Sequence, residues 1–86
     1  MQLTQWTDYS LRVLMYCAQN QEREEPITIA EIIERHQLSK SHVTKIVSYL
    51  SSVGLLNTTR GRNGGITLAQ PAEKINIGQV VRLTET

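Results

Sequence analysis

Between residues 35 and 72 the chain carries Arg35, Lys40, Lys45, Arg60 and Arg62, together with His36 and His42, and no acid. The preceding residues 19–34 are the reverse: Glu22, Glu24, Glu25, Glu31 and Glu34 stand against a single base, Arg23. The formal net charge of +1 conceals this division. Cationic side chains attract oxyanions and donate hydrogen bonds to them. A local cationic half in a near-neutral chain suits a localised anionic partner, phosphates above all. The plainer alternative is a solvated face. The densest group is Arg60-Gly61-Arg62-Asn63-Gly64-Gly65, two guanidiniums and an amide among three glycines. Glycine lets a backbone approach another surface closely, and arginine is favoured in a narrow minor groove of DNA by its negative potential. The bland reading there is a turn whose arginines only solvate it.

Other chemistries find no support. His36 and His42 have no clustered cysteine or acid, and no nucleophile–base pair, carboxylate pair or metal-ligand spacing appears, so an enzyme is not expected. The lone cysteine, Cys17, excludes an intramolecular disulfide and any thiolate cluster built from this chain alone. It lies near Met15 and Ala18 with no base close in sequence, which reads as a small buried apolar residue rather than a redox sensor. No apolar run approaches the roughly 18 residues of a membrane span, and the opening MQLTQWTDYS lacks the basic and apolar blocks of a signal peptide. The 86 residues make one domain, 1–86, with a core of isoleucine, leucine and valine and no phenylalanine. The expectation is a small cytoplasmic domain with no membrane partner, no small-molecule substrate and no cofactor held by this chain alone.

The elements that would position these residues follow from capping and periodicity. Thr7 is expected to cap a first helix, with Asp8 in its first turn and Leu11, Leu14, Met15 and Ala18 on its apolar face. Residues 19–26 form an acidic loop ended by Pro26. Thr28 and Glu31 make a capping box for a second helix, with Ile29, Ile32 and Ile33 facing inward and an end near His36. After a tight turn, Ser39 caps a third helix, whose Val43, Ile46, Val47 and Leu50 fall at i, i+3, i+4 and i+7. Gly54 is where that helix would stop. Residues 55–60 and 66–69 read as strands, Pro71 ends the second, and Asn76 caps a last helix over 77–83 with Ile77, Val80 and Val81 inward. The fold class expected is mainly α with a small β-hairpin. It is a winged helix-turn-helix in the order α-α-α-β-β-α, with the helix-turn-helix at 28–51 and the wing at 55–69.

With the apolar stripe inward, the third helix turns Lys40, Ser41, His42, Thr44, Lys45 and Ser48 outward, and none is acidic. An ordinary exposed helix mixes glutamate with lysine. A recognition helix offers its N-terminal residues to the major groove of double-stranded DNA. The Ser39 cap leaves backbone N–H groups able to hold a phosphate, and Thr28, the cap of the preceding helix, is grouped with it. Trp6, Tyr9, Tyr16 and Tyr49 are read as packing residues. A winged helix used for protein contact, with a dispensable basic face, is the competing reading.

At residue level MQLTQWTDYSLRVL, TIAEI, Arg60-Gly61-Arg62-Asn63-Gly64-Gly65-Ile66-Thr67-Leu68, Pro71-Ala72 and Ile75-Asn76-Ile77-Gly78-Gln79-Val80-Val81 resemble the Rrf-type winged-helix transcriptional regulators. The resemblance covers the whole chain, and the opening and the wing look most like the nitric-oxide-sensing repressors of that family. It implies a third helix in the major groove, through Ser41, His42, Thr44 and Lys45, and a wing in the minor groove, through Arg60, Arg62, Asn63 and Gly64. It also implies a homodimer on the two half-sites of a dyad operator, held largely by a long C-terminal helix. Family members sense through an iron–sulfur cluster (2Fe–2S or 4Fe–4S) on three cysteines that follow the region where this sequence stops. In the nitric-oxide branch a fourth ligand, from the opening Thr-Asp motif, crosses the dimer; the matching residue here is Asp8. Helix electrostatics alone would also place an aspartate there, paired with Arg12 one turn on. The sequence ends at Thr86 without those cysteines, so the expectation is the DNA-reading portion of a longer regulator or a member without a sensor. Iron–sulfur biogenesis and cysteine metabolism are the other regulatory roles the resemblance leaves open.

Overall fold

Each helix begins at a residue whose side-chain oxygen takes up an otherwise orphaned amide. In the computed structural model, which describes residues 4–59 and 65–85, Thr4 accepts from the Thr7 amide at 3.2 Å and opens α1 (Gln5–Gln19). Thr28 accepts from Glu31 and opens α2 (Ile29–His36), Ser39 accepts from His42 and opens α3 (Lys40–Ser52), and Asn76 accepts from Gln79 and opens α4 (Ile77–Thr84). The expected cap at Thr7 is therefore corrected to Thr4. Thr7 is the third helical residue and is fully buried, with its hydroxyl donating to the Glu85 carboxylate at 2.6 Å.

The turn between α2 and α3 passes through Gln37 in the left-handed region, φ 55°, while the Leu38 amide reaches back to the Ile33 carbonyl. Gly54, at φ 83°, ends α3 as expected, since a side chain would be strained there. Two short strands, β1 (Leu56–Thr58) and β2 (Ile66–Leu68), then pair antiparallel with Leu56 opposite Leu68, Asn57 opposite Thr67 and Thr58 opposite Ile66. Arg60, Gly61, Arg62, Asn63 and Gly64, the expected tip between them, lie outside the described residues. A single 3-10 turn (Ala72–Lys74) follows Pro71 and leads into α4.

One contact ties the hairpin to the helices. The Ile66 amide donates to the Ile27 carbonyl at 2.9 Å, an isolated antiparallel bridge just ahead of α2. The chains come so close that a Cβ on Gly65 would lie 2.3 Å from Pro26 Cβ and 3.2 Å from the Ile27 carbonyl oxygen. The proline ring cannot swing aside. Gly65→Ala is expected to separate the hairpin from the 26–27 segment at a cost of about 1–3 kcal/mol, read as a lower Tm in thermal unfolding.

The core is aliphatic, as the composition requires. Ile32, Val43, Ile46, Leu50 and Val80 are wholly buried, joined by Val13, Leu14, Cys17, Leu55, Leu56 and Ile66. The four-residue stripe of α3 faces it as the periodicity predicts. The face of α1 differs from expectation: Thr7, Ser10, Val13, Leu14 and Cys17 are buried, whereas Met15 is 57% exposed and Leu11 only half-buried. Two hydroxyls can occupy the inner face because both are satisfied, Ser10 by the Trp6 carbonyl and Thr7 by Glu85. In α4, Val80 and Thr84 are buried with Val81 half-buried, but Ile77, at the first turn, is 55% exposed and leaves the expected inner face.

Candidate nucleic-acid interface

On α3 the burial of Val43, Ile46, Val47 and Leu50 forces the remaining side chains outward, and Lys40, Ser41, His42, Thr44, Lys45 and Ser48 are all exposed. Among the described residues neither lysine is in an ion pair. The face thus presents uncompensated positive charge interspersed with hydroxyls. Its flank is supported from α1: the Tyr9 ring lies 6.2 Å from the His42 imidazole, centroid to centroid. Trp6 packs edge-on against Tyr49 at 5.8 Å, and the Tyr49 hydroxyl donates to the Leu83 carbonyl at 2.6 Å. Trp6 and Tyr49 therefore join α1, α3 and α4, the packing role read from sequence.

Thr28 and Ser39 are exposed, but their oxygens already accept the capping amides. What remains for an outside ligand is each hydroxyl proton and the free amides of the first turn behind it. The wing residues Arg60, Arg62, Asn63 and Gly64 lie outside the described residues, so the structure brings together the helix half of the expected site only.

Between α3 and β1 runs an open groove that the sequence did not announce. Thr28, Thr44, Ser48, Ser51, Ser52, Thr58 and Thr59 line it, over a floor that includes Ile27, Val47 and Ile66. Among the described residues it carries seven hydroxyls and no charged side chain. Ser51, Ser52, Thr58 and Thr59 were missed because residues of α3 and β1 come side by side only once β1 folds back along α3. A run rich in serine and threonine was the one available signal.

The orientation of α2, and so of α3 behind it, is fixed by a carboxylate at its N-terminus. Glu31 accepts from the Thr28 amide at 2.8 Å, from the Tyr16 hydroxyl of α1 and from the Arg23 guanidinium of the acidic loop. Arg23 also donates to the Glu25 and Pro26 carbonyls at 3.0 Å each. Burial by itself would raise the Glu31 carboxyl, but the donors from Arg23, Tyr16 and Thr28 together bring it down to about 2. Glu31 thus closes the capping box and joins α1, the loop and α2 at one point.

Asp8 stands on the outer side of α1, paired with Arg12 at 3.1 Å, with both side chains roughly half exposed. An exposed i, i+4 pair of this kind contributes about 0.3–0.5 kcal/mol. Cys17 is 1% exposed, and burial chiefly pushes its thiol up to about 11, with the Glu31 charge adding to the effect. A thiol buried and held protonated in this way packs as a small apolar residue. Among the described residues no group of three or more histidines, cysteines, aspartates or glutamates is placed to hold a metal ion. The donors present therefore do not fit an iron–sulfur cluster by themselves.

Three capped helices with an amphipathic third, followed by a hairpin docked beside it, define a winged helix-turn-helix, a fold class in which the second helix of the turn motif is offered to the DNA major groove. The chain belongs to the Rrf2 family, described as iron-dependent transcriptional regulators, which it matches over residues 3–86. It is 46% identical over 85 residues to the HTH-type transcriptional regulator NsrR of Shouchella clausii, covering 99% of this chain and 56% of that protein. The chain spans 56–59% of the length of the curated relatives it matches. Among solved structures it is similar to CymR (YrzC), the global cysteine regulator of B. subtilis, with a TM-score of 0.89 and 26% identity over 99% of this chain and 65% of that one. It is similar also to IscR of T. potens, with a TM-score of 0.88 and 27% identity over 100% of this chain and 62% of that one. Both likenesses bear out the mainly helical winged fold expected from sequence. The family is one of transcriptional regulators rather than enzymes. Among the described residues no helix is long and apolar enough to cross a membrane.

Proposed function

We propose that this chain is the operator-reading domain of a cytoplasmic transcriptional repressor. Its α3 lies in the major groove, where Ser41, His42, Thr44, Lys45 and Ser48 meet base edges and phosphates and Lys40 meets the backbone. The wing tip enters the minor groove through Arg60, Arg62, Asn63 and Gly64. Thr28 and Ser39 offer hydroxyl protons and first-turn amides to phosphates. The observation that carries this reading is the exposed face of α3, cationic, rich in hydroxyls and free of acid.

The whole protein is a homodimer on a dyad operator in this reading, and its signal is nitric oxide acting on an iron–sulfur cluster. The 46% identity to NsrR regulators supports that choice. Likeness to the cysteine regulator CymR and to IscR supports the neighbouring roles in cysteine metabolism or iron–sulfur biogenesis. Within residues 1–86 Asp8 is the one candidate cluster ligand, through its exposed carboxylate, and the thiolates would come from outside this sequence.

The test is a titration of a fluorescent duplex, enriched by the protein from a random-sequence library, across a salt series. Binding is expected to weaken linearly in log–log form as phosphate contacts release counterions. Arg62→Ala should cost about 1–3 kcal/mol and relax selection at minor-groove positions. Equal binding by wild type and this variant would overturn the wing assignment. Salt-indifferent behaviour, or no binding at all, would favour the protein-contact reading.

A further inference from the structure

Antiparallel pairing aims alternate residues of β2 away from β1. The Ala69 amide donates to the Leu55 carbonyl and the Thr59 amide to the Gly65 carbonyl. Residues 65, 67 and 69 therefore turn their backbone groups to β1, and Ile66 and Leu68 turn theirs to the free edge. Ile66 uses its outward amide on the Ile27 carbonyl. Continued in the same register, that one-residue bridge would set Glu25 opposite Leu68. It does not continue. The chain bends at Glu24 and Glu25, where the Arg23 guanidinium holds the Glu25 and Pro26 carbonyls at 3.0 Å each. Among the described residues the Leu68 amide and carbonyl are left without a hydrogen-bond partner. An open strand edge of this kind is a template for another strand.

Beside that edge runs a trough of about 710 Å³, inside the roughly 300–1,000 Å³ span of ligand clefts. β2 and the residues after it form one wall and the 23–27 segment the other. The C-terminal end of α1, with its buried Cys17, closes the third side. The charge this trough offers is negative. Arg23 is engaged with Glu31 and two carbonyls, whereas Glu24 and Glu25 are exposed and in no ion pair among the described residues. We propose that the trough docks an extended segment of a partner protein that carries arginine or lysine. The segment adds to β2 as the antiparallel strand that the Ile27 bridge begins, pairs with the Leu68 backbone, and sets its cations against Glu24 and Glu25. Ile27 and Ile66 line both this trough and the groove beside α3, so their bridge separates the two, and neither Lys40 nor Lys45 lines the trough. A segment docked there leaves the outer face of α3 uncovered. The contact is additional to DNA reading: a regulator so built can hold a protein partner while it holds DNA.

The probe is an acetylated and amidated hexapeptide of alternating valine and arginine, titrated into nitrogen-15-labelled protein and followed by NMR. Side chains alternate across a strand. A valine opposite Leu68 therefore shares its inward face, and the arginines share the outward face of Thr67. The Leu68 amide is expected to exchange freely in the unbound protein and on the order of tenfold more slowly in the saturated complex. Glu24→Gln combined with Glu25→Gln alters two exposed side chains, so the Tm should stay that of the wild type while binding weakens about threefold to tenfold. Two control peptides should not bind: one methylated on its valine nitrogens, which removes the donor to the Leu68 carbonyl, and one with glutamate in place of arginine. No protection at Leu68, or equal binding by the N-methylated peptide, would overturn strand addition. Equal binding by the glutamate peptide, or by the double glutamine variant, would overturn the cationic partner. The titration contains no DNA, so its failure and a failure of DNA reading are separate results.

Discussion

The double reversal Lys40→Glu, Lys45→Glu is expected to lower affinity for the enriched duplex at least a hundredfold while leaving the fold intact. Both side chains are exposed and neither is in an ion pair among the described residues, so no internal contact is lost. Lys40 is the first residue of α3, where a carboxylate is favoured by the helix dipole, so that change should be neutral or slightly stabilising. Two phosphate contacts are removed and two repulsions replace them. The salt slope should fall by about two, since each neutralised phosphate contributes about 0.9. Melting curves and salt-dependent titrations on the same samples check both halves of the statement. Undiminished binding would mean that the cationic face of α3 does not meet DNA.

The second large effect concerns stability. Glu31→Gln keeps the size of the side chain but removes the charge that Arg23, the Tyr16 hydroxyl and the Thr28 amide all address. Part of the site is solvated, with the two ion-pair side chains 24–28% exposed, so the loss falls short of a fully buried pair: about 2–3 kcal/mol at neutral pH. The pH dependence has a definite sign. A carboxyl lowered on folding from its ordinary 4.5 to about 2 stabilises the native state above pH 4.5, and that contribution fades as the pH falls through 2. Denaturant unfolding of wild type and variant should therefore differ most above pH 4.5 and converge towards pH 2. A difference that persists undiminished at pH 2 would show that Glu31 acts through packing alone.

The parts of the fold legible in sequence were those with local causes. Thr28 with Glu31, Ser39 and Asn76 each satisfy amides within three residues, and the α3 stripe expresses its own period. The face of α1 was misread because polar residues occupy it: Thr7 and Ser10 are buried only because Glu85 and the Trp6 carbonyl accept their protons. The first of those partners lies 78 residues away, beyond any local pattern. The same division runs through the candidate site. Lys40 and Lys45 stood out by the absence of acids around them. Ser51, Thr58 and Thr59 did not, because only the fold of β1 against α3 makes them neighbours.

The Glu85 carboxylate has a consequence for how the molecule opens. It follows α4 and receives protons from the Thr4 and Thr7 hydroxyls and the Thr4 amide at the start of α1. Helix termini normally fray independently and exchange their amide hydrogens first. Here the first turn of α1 and the last of α4 share one fastening. Neither can fray without releasing the other, so the two ends of the described chain behave as a single cooperative unit.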